Sequence, residues 1–367
     1  MNVMATKGAS LILPLLGVIA LSPAALADTG ANWWDEHVSF GGDARLRYQA
    51  TRVSPPGEDD RRERYRTRFG FLVDASDNVE FELRLATGTG NPTSRNLDFG
   101  ESFALDDNIR VDRAWLAWTL EDRLQLVAGK MKNPMFRAGG DALIWDNDVT
   151  PEGFAARYDG SRLFTRVGAF ILSDRISGPE SQLYAVQAGS VTKLSETASF
   201  TAGLSWYDYT DIAGHSVLFA ANPRGNSVDA AGNYLYDYDI IEAFGEYRRT
   251  IAGRPVTLFA RWAQNTRADA ANTAYSAGVA VGKTDEPGDF EFGWAWRDTE
   301  ADALVGIYTD SNLAGGSTDS KGQLLTGTYR LTKHIDLGAT FIFSELGGFT
   351  GTTRDFDRMM LEIEFSF

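Results

Sequence analysis

Leu361-Glu-Ile-Glu-Phe-Ser-Phe367 alternates apolar and polar side chains and stops on a phenylalanine. Extended backbone sends successive side chains to opposite faces, so Met359, Leu361, Ile363, Phe365 and Phe367 share one face while Glu362 and Glu364 look the other way. The last residues of a soluble domain tend to fray in water. An apolar face kept up to the final residue needs an apolar surface to meet. Lipid on that side and water on the other is the arrangement of a strand in a membrane barrel.

The same period of two fills the rest of the chain. In Arg64-Tyr-Arg-Thr-Arg-Phe-Gly-Phe-Leu-Val73, Arg64, Arg66, Arg68 and Gly70 form one face and Tyr65, Thr67, Phe69, Phe71 and Val73 the other. A helix would scatter both sets. Phe40 to Tyr48 sets Phe40, Ala44, Leu46 and Tyr48 against Asp43, Arg45 and Arg47, and Val79, Phe81, Leu83 and Leu85 oppose Glu80, Glu82 and Arg84. Phe200 to Trp206, Val256 to Trp262, Tyr275 to Val281, Phe290 to Trp296 and Ile335 to Phe343 repeat the pattern. A tilted membrane strand needs about 9 to 11 residues, and the segments are long enough. Short connections (76–78, 121–123, 159–160, 194–197, 251–254, 284–288, 332–334) alternate with longer polar ones (54–63, 91–107, 133–151, 173–180, 209–235, 266–271, 299–321, 345–354). This asymmetry predicts an all-β transmembrane antiparallel barrel of about sixteen strands, with short periplasmic turns and long extracellular loops. Trp33, Trp34, Trp118, Trp206, Trp262 and Phe367 gather at segment ends, where aromatic girdles sit.

Residues 1–27 read as a secretory signal. Lys7 gives the positive start, Leu11 to Leu21 an apolar run too short to span, and Ala25-Leu-Ala27 a cleavage site before Asp28. Residues 28–367 then form one barrel domain. No cysteine is present and the three histidines, His37, His215 and His334, lie far apart, so thiolate and histidine metal centres are not expected. A formal charge of −15 argues against nucleic acid as a partner. Catalytic signatures are incomplete. Gly214-His-Ser-Val-Leu218 lacks the second glycine of a nucleophile elbow, and Gly88-Thr-Gly90 lacks the rest of a dinucleotide loop. Glu362 and Glu364 could serve as a hydrolytic carboxylate pair, but adjacent inward positions on one strand read as solvated wall.

Backbone amides in hydrocarbon must be paired, so the first strand has to meet the last. A ring of about sixteen strands is too wide for side chains to fill, and a watery lumen follows. Arg45, Arg47, Arg64, Arg66, Arg68, Arg84 and Arg113 fall on the first four strands as a basic inner patch, joined as pore-lining candidates by Lys130 and Lys132. Alternation through Leu124, Leu126 and Ala128 turns Lys130 toward lipid unless the strand ends or bulges there. Like charges opposite each other destabilise paired strands, so compensating acids are expected. Asp141, Asp146 and Asp148 in the third long loop, with Glu152 just after it, would supply them if that loop folds inward as a constriction, setting a transverse field across the channel. An Asp146-Asn-Asp148 calcium pair is a weak alternative that lacks the full loop pattern.

Gly129-Lys-Met-Lys-Asn-Pro134, Leu143-Ile-Trp-Asp-Asn-Asp-Val-Thr-Pro-Glu-Gly153, Gly282-Lys-Thr-Asp-Glu-Pro-Gly-Asp289 and Tyr308-Thr-Asp-Ser-Asn312 resemble the putative porin family of Gram-negative outer membranes, distant relatives of the phosphate-selective porins. The resemblance implies a sixteen-stranded trimeric channel with the loop between the fifth and sixth strands folded inward. Two departures stand out: no coiled-coil segment separates Asp28 from the first strand, and the lumen offers few lysines beside an acidic loop, so phosphate selectivity does not carry over. The expectation is a passive outer-membrane channel, without catalysis or cofactor, for ions and small hydrophilic solutes. Its partners would be outer-membrane lipid and lipopolysaccharide, the barrel-assembly machinery through the Phe367 strand, and further copies in a homotrimer. The competing readings are a substrate-specific, anion-selective channel with an external docking site on loop 209–235, and an enzyme. A hydrolase barrel would need a nucleophile and base, and a propeller a repeat of about 40 to 50 residues that is not found.

Overall fold

Alternation is what the backbone obeys. The computed structural model describes residues 33–100, 108–173, 180–220, 222–349 and 351–367. The segment 1–27, expected to be a signal, lies outside them. The described residues up to Val38 belong to a unit of their own, in which Trp33–His37 is a single helical turn with the His37 imidazole stacked on Trp33.

The second unit is the barrel. Its strands are β1 (Val38–Ser54), β2 (Glu58–Ser76), β3 (Val79–Thr87), the two-residue β4 (Leu97–Asp98), β5 (Ile109–Leu120), β6 (Leu124–Lys130), β7 (Glu152–Asp159), β8 (Leu163–Ser173), β9 (Ser181–Ser195), β10 (Ala198–Tyr209), β11 (Tyr238–Ile251), β12 (Arg254–Asn265), β13 (Thr273–Gly282), β14 (Phe290–Thr299), β15 (Ser320–Thr332), β16 (Ile335–Leu346) and β17 (Arg354–Ser366). β4 extends the ladder on β2 beyond the end of β3. The other sixteen pair antiparallel with their neighbours, and β17 pairs with β1 from Asp43↔Ser366 to Ser54↔Asp355, so the ring closes without an edge. Closure leaves no open sheet edge to face hydrocarbon.

Leu46, Phe69, Leu116, Val167, Leu204, Leu258, Phe292, Phe341, Leu361 and Ile363 point outward as an exposed apolar belt. Trp206, Trp262, Tyr275 and Trp296 lie toward its long-loop end, and Phe81, Trp118, Tyr158, Phe290 and Phe365 toward the short-turn end. These are the two aromatic girdles of a membrane barrel. One expected loop is instead strand. β1 and β2 continue to Ser54 and from Glu58, leaving only residues 55–57 as a turn, because polar residues can extend a ladder past the membrane into water.

The lumen is partly filled by chain. Loop 3 (131–151), loop 5 (210–237) and loop 7 (300–319) fold inward and build a core from Met135, Leu143, Trp145, Leu218, Leu304 and Ile307 against Phe170, Tyr207 and Tyr209 of the wall. Loop 7, expected to be a polar stretch, is buried from Ala301 to Asp310.

Candidate functional site: the charged lumen

β17, β1 and β2 are neighbours, and their inner positions are arginine-rich. Arg45 and Arg47 of β1 meet Glu362 of β17 at 3.4 and 2.5 Å. Arg66 of β2 holds Asp43 at 2.6 Å and Glu364 at 3.0 Å, and Arg68 holds the other Asp43 oxygen at 2.7 Å. Arg64 pairs with Asp98 of β4 at 2.5 Å. The compensation that like-charged neighbours require thus comes largely from acids on the wall itself. Arg45 also donates from Nη2 to the Asn96 amide oxygen at 2.8 Å. Arg84 of β3 and Arg95 of loop 2 (88–108) share the buried carboxylate of Asp112.

Arg113 stands opposite Arg84 because the ladder shifts register there, a bulge that turns both Asp112 and Arg113 inward. It reaches Glu82 at 3.4 Å. Lys130 follows the alternation of Leu126 and Ala128 onto the outer face at the loop end of β6, where its ammonium meets Glu152 at the start of β7. This pair sits at the loop end of the wall, where both residues border a pocket shared with Arg95, Arg110, Trp145 and Tyr308. Lys132, in loop 3, is exposed to the lumen. Burial, followed by Arg113, Arg137, Arg84 and Arg157, lowers the pKa of its ammonium.

Loop 3 packs against inner-face residues of the wall, and its acids take different directions. The loop hugs the wall opposite the arginine patch. The Phe136 amide donates to Gln187 at 2.7 Å and the Gly139 amide to Glu246 at 2.7 Å. Asp141 then accepts from Arg297 Nε at 2.8 Å and Ser276 Oγ at 2.9 Å, with Arg261 at 3.6 Å. Burial alone would raise this carboxyl, but Arg297 and Arg261 hold it below the ordinary value. Arg261 also binds Glu242, and Arg297 binds Asp310, so five buried charges alternate in sign from β11 to loop 7. Asp141 is an anchor facing away from the arginine patch.

Asp146 ties loop 3 to loop 7. Its amide donates to the Tyr308 carbonyl at 2.7 Å, and its carboxylate accepts from the Ser311 amide at 2.7 Å and the Asp148 amide at 2.8 Å. Burial, then Asp310 and Asp148, push its pKa up to about 7. Asp148 is the loop acid that turns toward the basic wall, 3.8 Å from Arg68, while its carbonyl accepts from Arg95 at 2.7 Å. No cluster of three or more potential metal ligands occurs among the described residues, Asp146 and Asp148 included.

Further inner-face arginines escaped the sequence reading although alternation marks them, Arg110, Arg157 and Arg166 among them. Arg358 lies two positions before Met360 on the inner face of β17 and donates to Thr51 at 3.0 Å and to the Ser311 and Asn312 carbonyls at 3.1 Å, joining wall to loop 7. Arg261 and Arg297 fall between outward residues of β12 and β14 in the same way. Arg95 could not be found so, since it lies in a loop.

The sequence matches the family described as Putative porin over residues 53–222 and 226–367. The fold superposes on the high-pH structure of OprB from Pseudomonas putida with a TM-score of 0.61 at 16% identity, over 92% of this chain and 96% of that one. A Vibrio cholerae OmpT lacking its loop L8 gives 0.52 at 12% identity over 90% and 99%, and a triple mutant of Rhodopseudomonas blastica porin gives 0.50 at 11% over 90% and 100%. Likeness at these identities concerns fold. No curated protein matches the chain. A family match over most of a closed barrel with an apolar outside and a charged inside leads to one conclusion: the chain belongs to the putative porin family and is an outer-membrane channel protein.

Proposed function

We propose that the protein, exported by its signal peptide, conducts ions and small hydrophilic solutes passively across the outer membrane, through an aperture between the arginine wall and loops 3 and 7. The observation that carries this reading is the run Arg358, Arg47, Arg45, Arg64, Arg66 and Arg68 on three adjacent inner strands, facing Asp148 of loop 3 and the Ser311 and Asn312 carbonyls of loop 7. Six guanidiniums against Asp43, Asp98, Glu362 and Glu364 on the same wall leave it positive. Oriented charge in a narrow, partly dehydrated passage favours anions and dipolar solutes over apolar ones.

Passive diffusion is preferred to an external docking channel because three tyrosines of and beside loop 5 are withdrawn from the surface: Tyr209, Tyr234 and Tyr238 are each 1% exposed. Reversal potentials in a salt gradient across planar bilayers test the proposal. R64Q/R66Q/R68Q is expected to shift selectivity toward cations, and an unchanged reversal potential would remove these arginines from the filter. Association in threes, which the resemblance implies, is checked by the native mass of the detergent-extracted protein.

A further inference from the structure

Beneath the start of loop 3, against the inner face of β3, β5, β6 and β7, lies a recess of about 230 Å³. Trp115, Val127, Met131 and Pro134 form its apolar side, and Arg113, Lys132 and Arg157 bring three cations to it. It is separate from the arginine wall of β17, β1 and β2 and lies toward the short-turn end of the barrel, and Glu80, Glu82 and Gln125 also line it.

The charges around this recess do not balance locally. Two cross-strand pairs set arginine directly against arginine, Arg84↔Arg113 and Arg157↔Arg166, an arrangement that destabilises a sheet unless something negative intervenes. Asp112 answers Arg84 and Asp159 answers Arg166. Glu82 answers Arg113 through one contact at 3.4 Å, and the same carboxylate takes the Trp115 indole hydrogen. Among the described residues, Glu80 receives only the Gln125 amide, at 3.4 Å. Lys132 and Arg157 make no hydrogen bond or ion pair with any described residue. The Nε atoms of Arg113 and Arg157 are buried without a partner. Lys132 moreover lies among Arg113, Arg137, Arg84 and Arg157, all of its own sign. Buried donors without acceptors are costly, and a guanidinium presents a fork whose geometry matches a carboxylate.

We propose that this recess binds a small organic carboxylate, its charged end bridging Lys132 and Arg157 and its apolar body resting on Trp115, Val127 and Met131. The inference rests on the channel reading in that it names the class of solute this lumen would hold in transit. A compact apolar body distinguishes the ligand from chloride or inorganic phosphate, which would meet the cations and leave the apolar side uncovered.

The test is calorimetric titration of the detergent-extracted, refolding-competent full-length barrel with benzoate, with inorganic phosphate as comparison. Benzoate is expected to bind saturably at one site per chain. K132Q and R157Q should each weaken it about tenfold or more, as loss of a charge-assisted hydrogen bond does, and K132R should retain it. Lys132 is exposed on a loop, so K132Q does not endanger folding. Absence of saturable benzoate binding, or an affinity indifferent to both neutral substitutions, overturns the site. Phosphate binding as tightly as benzoate overturns the carboxylate assignment. Conductance of the wild type in potassium chloride alone is measured separately: its absence would remove the channel reading, while the calorimetric result still decides the site.

Discussion

Asp141 shows how a charge inside a watery barrel can be structural. It sits between Arg297 at 2.6 Å and Arg261 at 3.6 Å, with Ser276 completing its hydrogen bonds. Removing one partner of a buried pair leaves the others uncompensated and costs about 3–5 kcal/mol. D141A is therefore expected to release loop 3 while the wall persists, seen as faster amide hydrogen exchange in residues 133–146; unchanged exchange would mean the anchor lies elsewhere. Asp146 makes a different prediction. A carboxyl whose folded-state pKa is raised from 3.8 to about 7 holds its proton more tightly when folded, so its contribution is full below 3.8 and is lost as pH rises through about 7. Asp141, with its pKa lowered, acts the opposite way and only on strong acidification. The tie between loops 3 and 7 should accordingly loosen as pH rises from about 4 to about 7, and D146N should flatten that dependence in melting curves recorded in detergent. The inward direction of Arg45, Arg47, Arg64, Arg66 and Arg68 was legible in the sequence, because alternation alone decides it. The partners of Asp141 were not, because they arrive from strands more than a hundred residues away, and a local pattern carries no record of such a meeting.

Loop 3 runs along the wall at close quarters, and one residue makes this possible. Gly139 has φ +66°, and a Cβ there would come 2.1 Å from the Phe259 ring. Both the left-handed backbone and the missing side chain are needed. G139A is expected to push the loop off β12 toward the aperture and lower single-channel conductance, and Phe259→Ala in the same chain should recover part of the wild-type value by removing the obstacle. A conductance equal to wild type in G139A would show that the loop does not border the path. That this loop folds inward was implied by the resemblance, and its two attachments, to the wall through Asp141 and to loop 7 through Asp146, emerge only in three dimensions. Loop 7 was misread as polar. Leu304, Val305, Ile307 and Tyr308 were the signal, an apolar run that a merely solvated connection has no use for. The bulge that turns Arg113 inward leaves no such trace, since inserting one residue in a ladder changes spacing without changing composition.

Across the whole molecule, the apolar outside and charged inside follow from the period of two, which is why the ring of sixteen strands was readable and the contents of its lumen were not. Side-chain parity specifies a wall; loops fill the interior according to contacts that parity does not encode. The outer belt gives a direct test. Phe341, exposed near the middle of β16, should tolerate leucine, whereas Phe341→Arg is expected to cost about 2–4 kcal/mol at bilayer depth, measured by urea-dependent refolding into lipid vesicles. A negligible cost would place this face away from hydrocarbon. The seam between β1 and β17 has one more consequence. Gly42 and Phe367 exchange backbone hydrogen bonds at 3.1 Å in each direction, so head and tail of the wall are already in contact. A ring joined this way has no preferred first strand: a circular permutant that links those ends with a brief spacer and opens instead at an exposed loop would have the same sixteen pairings to form, in a rotated order.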